Sequence, residues 1–148
     1  MQAMEISRTA LDVEWRRLEV IAENLANAGV ANTPNTAPYR ELQLLSGPKT
    51  SFSTLLNAKD KSSTGIDLRE LSGVTVYGVQ AGNDPPRLVH EPGNPSANAQ
   101  GLVSYPAIDQ AQQMTQMVQT ARAYEANIVA MNAAKEIYSK ALQLGARS

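Results

Sequence analysis

Thirty-five consecutive residues without glycine or proline, Gln110 to Leu144, constrain this chain more than any other feature. Eight alanines and few β-branched residues favour helix there. At a rise of 1.5 Å per residue the helix is about 52 Å long, which is long for a chain of 148 residues. One apolar stripe runs through Met114, Met117, Ala121, Tyr124, Ile128, Met131, Tyr138 and Leu142. A second runs through Ala126, Ala130, Ala133, Ile137, Ala141 and Leu144, on the opposite side. Arg122, Glu125, Glu136 and Lys140 form a polar strip between them. A helix apolar on two sides needs two partners.

The N-terminal segment, residues 4 to 28, repeats the theme. Met4, Leu11, Leu18 and Leu25 recur every seven residues, and Trp15 and Ala22 complete an a/d seam. Ile6, Val13 and Val20 recur with the same period on the other face. Arg16 and Arg17 read as a solvated face. Gly29 follows as a helix-ending residue. Asp109 is the expected N-cap of the long C-terminal helix, with Gln112 three residues on; Gly145 is expected to end it, and Lys140 in its last turn suits the helix dipole.

Between the helices lie turn-rich and strand-like segments. Residues 29–38 have turn composition, and 39–45 read as a strand. Residues 46–72 are poor in order signals and are expected to be flexible. Residues 73–79, GVTVYGV, alternate as a strand does, 80–86 turn, and 87–90 read as its return strand. Residues 101–105 are a third short strand before Pro106. The expected fold is mainly α with a small β module. The N- and C-terminal helices form an antiparallel coiled-coil-like pair, with a short central β-hairpin or sheet inserted. The modules are 1–30, 31–106 and 107–148, the first and last together making one helical body.

The expected intrachain seam pairs Leu11, Trp15, Leu18, Ala22 and Leu25 with Met117, Tyr124, Ile128, Met131 and Tyr138. The other faces, Ile6, Val13 and Val20 with Ala126, Ala130, Ala133, Ile137 and Ala141, are left for a neighbouring subunit. The reverse assignment of the two stripes fits the pattern too. Asn24, Asn27, Asn127 and Asn132 lie on or at the ends of the two helices. They are solvated positions or register-setting hydrogen bonders across an interface.

Chemistry is sparse. His90 is the only histidine and there is no cysteine, so triads, multi-histidine metal sites and thiolate sites are excluded. Glycine-rich phosphate loops are missing, and the carboxylates are scattered. The chain reads as a non-enzyme without cofactors. Thirteen basic and fourteen acidic residues are mixed, which argues against nucleic acid as a partner. No run approaches the ~20 apolar residues of a membrane span. The N-terminus does not read as a cleaved signal peptide.

Three ordered motifs resemble the bacterial flagellar rod and hook axial proteins, and among them the proximal-rod branch. Asn24-Leu25-Ala26-Asn27 after an amphipathic helix, with a turn ending in Pro38-Tyr39-Arg40, is the first. GVTVYGV, then Pro85-Pro86-Arg87-Leu88-Val89, then Pro92-Gly93-Asn94-Pro95 is the second. Arg122-Ala123-Tyr124-Glu125-Ala126-Asn127 is the third. Asn94, Leu102 and Ala107 depart from the family's common His, Tyr and Asn.

The resemblance implies a structural subunit of the proximal rod of the flagellar basal body. Such subunits polymerise through their terminal helices into a periplasm-spanning drive shaft that transmits torque and surrounds an export channel. The implied partners are copies of itself, other proximal- and distal-rod proteins, and the basal-body base at the inner-membrane ring. It further implies export without a cleaved signal by the flagellar type III apparatus. Phe52 to Leu56, FSTLL, resembles the Phe-x-x-x-apolar export element of such substrates, or is a small anchor of the β module. The rival reading is a soluble helical adaptor or chaperone-type interaction protein.

Overall fold

A computed structural model describes residues 2–33, 38–49 and 72–145. Its elements are α1 (Gln2–Asn27), β1 (Leu42–Pro48), β2 (Val74–Ala81), β3 (Arg87–His90), β4 (Leu102–Tyr105) and α2 (Gln110–Gly145). Two terminal helices with a small β module between them match the expected fold class. The possible export element Phe52–Leu56 lies outside the described residues.

α2 begins where the sequence predicts. The Asp109 carboxylate accepts hydrogen bonds from the backbone N–H of Ala111 (2.9 Å) and Gln112 (3.1 Å), satisfying donors that have no helical partner. The helix continues through Gly145, so Lys140 falls short of its last turn. α1 ends differently from expectation. Gly29 is not among the positive-φ glycines, and the chain leaves through a turn in which Val30 N–H reaches Asn27 O at 3.0 Å.

Strand pairing also departs from the reading of 73–79 and 87–90 as one hairpin. β2 pairs with β1, and β3 pairs with β4. The reason lies in 80–86. The Gly82 N–H bonds Glu41 O at 2.8 Å, which keeps the end of β2 on β1. Pro85 and Pro86 lack the N–H that a continuing ladder needs. β3 and β4 are antiparallel with Arg87 opposite Tyr105 and His90 opposite Leu102. The Arg87 guanidinium lies 5.8 Å from the Tyr105 ring centroid. The Tyr105 hydroxyl donates to Glu91 at 3.0 Å, and this bond is the main reason that its acidity is weakened.

Asparagines close strand edges. Leu102 exchanges both backbone groups with Asn98: its N–H bonds the side-chain oxygen at 2.9 Å, and its carbonyl accepts from Asn98 N–H at 2.9 Å. The Ser104 carbonyl accepts from Asn32 N–H at 2.8 Å. Such caps remove the unpaired groups that make an edge adhesive.

The chain forms two compact units, and each takes part of both helices. One holds Met1–Trp15, Ser46–Tyr77 and Arg122–Ser148. Within it, α1 meets β2 through Thr9. The Thr9 hydroxyl donates to Ile6 O at 2.8 Å and accepts from Val74 N–H at 3.1 Å. Gly73 has φ of 93°, and a Cβ there would strike the Thr9 hydroxyl. Gly47 lies under the Tyr77 ring, whose nearest carbon would be 2.7 Å from a Cβ. The other unit holds Arg16–Leu45 and Gly78–Ala121, with Val103, Ile21, Val20 and Ala28 buried in it. Charges on α1, such as Glu5–Arg8 and Arg16–Glu19 at 2.7 Å, are solvated pairs and contribute little.

Gly73→Ala forces a side chain into a left-handed backbone and against Thr9. We expect it to cost about 1–3 kcal/mol, read as a lower urea midpoint. Gly29→Ala, which meets nothing within 4 Å, should change stability by less than about 0.5 kcal/mol.

Candidate functional site

In the second unit, one asparagine of the first motif joins three segments. Asn24 is 1% exposed, near the end of α1. Its amide nitrogen donates to Leu42 O at 2.9 Å and to Gln113 Oε1 at 3.1 Å. Its oxygen accepts from Leu42 N–H at 2.8 Å and from the Tyr39 hydroxyl at 3.0 Å. Two donors and two acceptor sites are therefore all used. Gln113, also 1% exposed, donates onward to the Glu41 carboxylate at 2.9 Å. Burial, then the negative charge of Glu23, push the Tyr39 phenol up, so it stays a neutral donor. Among the described residues, every buried side-chain nitrogen and oxygen has a partner.

The Asn24 amide bonds Leu42 on both backbone groups, as a neighbouring strand would. It thus links α1 to β1, and through Gln113 to α2. Beside it runs a polar groove of about 480 Å³, lined by Val20, Ile21, Leu42 and Leu44 and by Gln112, Gln113, Gln116 and Gln119 of α2. Nothing in this arrangement brings a nucleophile to a base. Among the described residues no group of three or more His, Asp or Glu is placed to hold a metal ion. No described helix is long and apolar enough to cross a membrane. The site is a joint between secondary-structure elements, with helix faces around it.

The helix faces are distributed differently from the sequence pattern. Val13 and Val20, expected to meet a neighbour, are 5% and 4% exposed. Val13 lies beside Val74–Val76 of β2 in the first unit, and Val20 beside Leu42 and Leu44 of β1 in the second. The β1–β2 sheet therefore covers the face of α1 that the pattern left for a partner, and Ile6 is half-buried with it. On the expected intrachain seam, Leu11, Leu18 and Leu25 are half-buried, Ala22 is exposed, and Trp15 is 57% exposed. Trp15 still meets Tyr124 of the same unit, with ring centroids 6.3 Å apart and tilted by 50°.

On α2, Met117, Ile128 and Met131 are half-buried, whereas Tyr138 is exposed. Ala126, Ala130, Ala133, Ile137 and Ala141 are all exposed. Of the motif residues, Asn27 bonds its own helix at Glu23 O (2.8 Å), Ala26 is exposed, and Asn127 is half-buried. Pro86 and Arg87 are exposed at the start of β3.

Sequence reasoning passed over Thr9, Gln113 and Thr120, which are buried polar residues. Their signal was spacing. Thr9, Val13, Val20 and Asn24 fall on one face of α1 at about 100° per residue, as Gln113, Met117, Thr120 and Tyr124 do on α2. Admitting polar residues to each apolar face would have found both.

The C-terminal part of the chain, residues 99–144, matches the family model of the flagellar basal body rod FlgEFG protein C-terminal region. Similarity extends over almost the whole length. The flagellar basal-body rod protein FlgC of Bacillus subtilis is 33% identical, over 97% of this chain and 96% of its own. Those of Escherichia coli O6:H1 and Salmonella typhimurium are each 34% identical, over 98% of this chain and 97% of theirs. The chain belongs to the FlgC family of flagellar basal-body rod proteins. In this FlgC-family chain, the first motif thus has a physical role: its leading asparagine is the joint between α1, β1 and α2.

Replacing Asn24 tests the joint. Asn24→Leu leaves the Leu42 backbone groups and the Gln113 oxygen without partners, at a cost of about 2–4 kcal/mol. In Asn24→Asp, burial raises the folded pKa of the carboxyl above its unfolded value of about 4. The ionised form is then penalised only in the fold. The deficit against the parent chain should be full at neutral pH and shrink as the pH falls towards about 4. Urea titrations of both chains at several pH values measure it.

Proposed function

We propose that this protein is a structural, non-enzymatic subunit of the proximal rod of the flagellar basal body. It polymerises through its terminal helices into the drive shaft around the export channel. The observation that carries this reading, beyond family membership, is the uncovered end of α2. From the Trp15–Tyr124 contact, α1 has thirteen residues left and α2 runs on for twenty-one. The last two turns of α2 therefore outrun α1. They expose Leu142 and Leu144, and Ile137 just before them is 70% exposed; these are apolar side chains that water penalises. Ala126, Ala130, Ala133 and Ala141 share that openness, and small side chains let another helix approach closely.

The partners that complete such a face are copies of this chain and other proximal- and distal-rod proteins, with the basal-body base at the inner-membrane ring. A contact between unlike faces repeats without closing and produces a helical array. The protein acts in the periplasmic part of the basal body and reaches it through the flagellar type III export apparatus without a cleaved signal. The adaptor or chaperone-type alternative has no observation in its favour.

Ile137→Asp places a charge on the exposed end of α2. Monomer stability should change by less than about 0.5 kcal/mol, while rod assembly and swimming are lost. Amide exchange on dilute monomer should show Ile137–Leu144 exchanging freely, since an unpartnered helix end is marginal in water. Swimming at the parental level in the variant would contradict the placement of this face.

A further inference from the structure

The polar strip on α2 takes no part in the joint at Asn24. Arg122, Glu125, Glu136 and Lys140 are all exposed. At about 100° per residue they lie within about 60° of one another, on one side of the helix. Arg122 and Glu125 are three residues apart, and Glu136 and Lys140 four, spacings at which helical side chains reach each other. Yet among the described residues none of the four takes an ion-pair partner. On α1 the same spacings do pair, in Glu5–Arg8, Arg8–Asp12 and Arg16–Glu19. The strip lies wholly in the part of α2 that belongs to the first compact unit.

The order of its charges is plus, minus, minus, plus, and that order selects among ways of laying a second copy of the strip against the first. Parallel and unstaggered, each charge meets itself. Antiparallel about the centre, Arg122 meets Lys140 and Glu125 meets Glu136, again like on like, and such a pair closes into a dimer and stops. Parallel with a stagger, the signs agree. Fourteen residues separate Arg122 from Glu136, and fifteen separate Glu125 from Lys140. One offset of about 21 Å therefore sets both pairs plus on minus.

We propose that the end of α2 of one copy lies alongside the middle of α2 of a second copy, parallel and offset by about fourteen residues. Arg122 of the first then meets Glu136 of the second, and Glu125 meets Lys140. The proposal rests on the rod-subunit reading and adds the register of its contact. Packing agrees with charge. Fourteen residues are two heptads, so the offset brings Ile137 and Leu144, 70% and 72% exposed, level with Ala123 and Ala130, whose small side chains leave room for them. Two different segments of the helix meet, so the contact repeats without closing. The apolar residues supply adhesion, and the charges fix the register.

A charge swap tests it in the full chain. Within one copy Arg122 and Glu136 stand about 21 Å apart along the helix, too far to touch, so a rescue between them reports two copies. Arg122→Glu should lower the yield of basal bodies that contain the chain about threefold to tenfold, the worth of an exposed ion pair turned into a repulsion. Adding Glu136→Arg to the same chain should return the yield to within about twofold of the parent. Parental yield from Arg122→Glu alone, or a double variant no better than the single one, overturns the register.

A second arm does not depend on those variants. The chain has no cysteine, so cells carrying both Ala130→Cys and Leu144→Cys copies should give disulfide dimers in isolated, oxidised basal bodies, and cells carrying either alone should not. Dimers from Ala130→Cys alone, or basal bodies that contain the chain without mixed dimers, overturn the register and leave the rod assignment standing. Absence of the parent chain from basal bodies overturns both.

Discussion

The fold depends on a neutral amide at the end of α1. Asn24 has almost no solvent contact, and each of its hydrogen-bonding positions is filled, by Leu42, Tyr39 and Gln113. An apolar residue of similar size would fill the space without choosing a register. The amide chooses, because any slip of α1 along α2, or of β1 along α1, strands a buried donor or acceptor at a cost of about 1–3 kcal/mol. The helices are otherwise poor in specifying features. Their apolar residues repeat every seven positions, and a seven-residue slip would superimpose Leu11 on Leu18 and Val13 on Val20. A heptad repeat provides adhesion without address, and the polar cluster provides the address.

That division explains how much was legible in the sequence. Both helices were visible from composition and period, and α2 from its Asp109 cap. The strands were visible within about three residues, because alternation and the bracketing prolines are local signals. Their partners were not. Whether Arg87–His90 returns along β2 or pairs with β4 depends on where the Gly82 and Glu41 backbones meet. That contact is remote in sequence. The use of the two α1 faces was hidden for the same reason. Ile6, Val13 and Val20 look like a docking stripe in isolation, and only the position of β1 and β2 shows that the chain buries Val13 and Val20 itself. Asn24 was singled out by type, with its role open between solvation and register. The buried environment decides for register.

The module between the helices therefore does more than decorate them. By covering the Val13–Val20 face of α1, β1 and β2 remove one of two apolar faces from α1. Nothing comparable happens at the end of α2, where Ile137 and Leu144 stay open. A chain with two symmetric sticky helices would aggregate without direction. With Val13 and Val20 buried on α1 and Ile137 and Leu144 open on α2, the two helices are unlike, and contacts between unlike faces repeat without closing.

The overhang of α2 follows from length alone. With Trp15 opposite Tyr124, no antiparallel partner of 26 residues can accompany a helix of 36 to its end. Shortening α2 by two turns would give a better monomer and a poorer subunit, since the removed turns carry the exposed Leu142 and Leu144. Extending α1 would do the same by covering them. The mismatch costs the isolated chain solvent-exposed apolar surface, at roughly 25 cal/mol per Å². The open end of α2 thus has one origin, the unequal length of two paired helices.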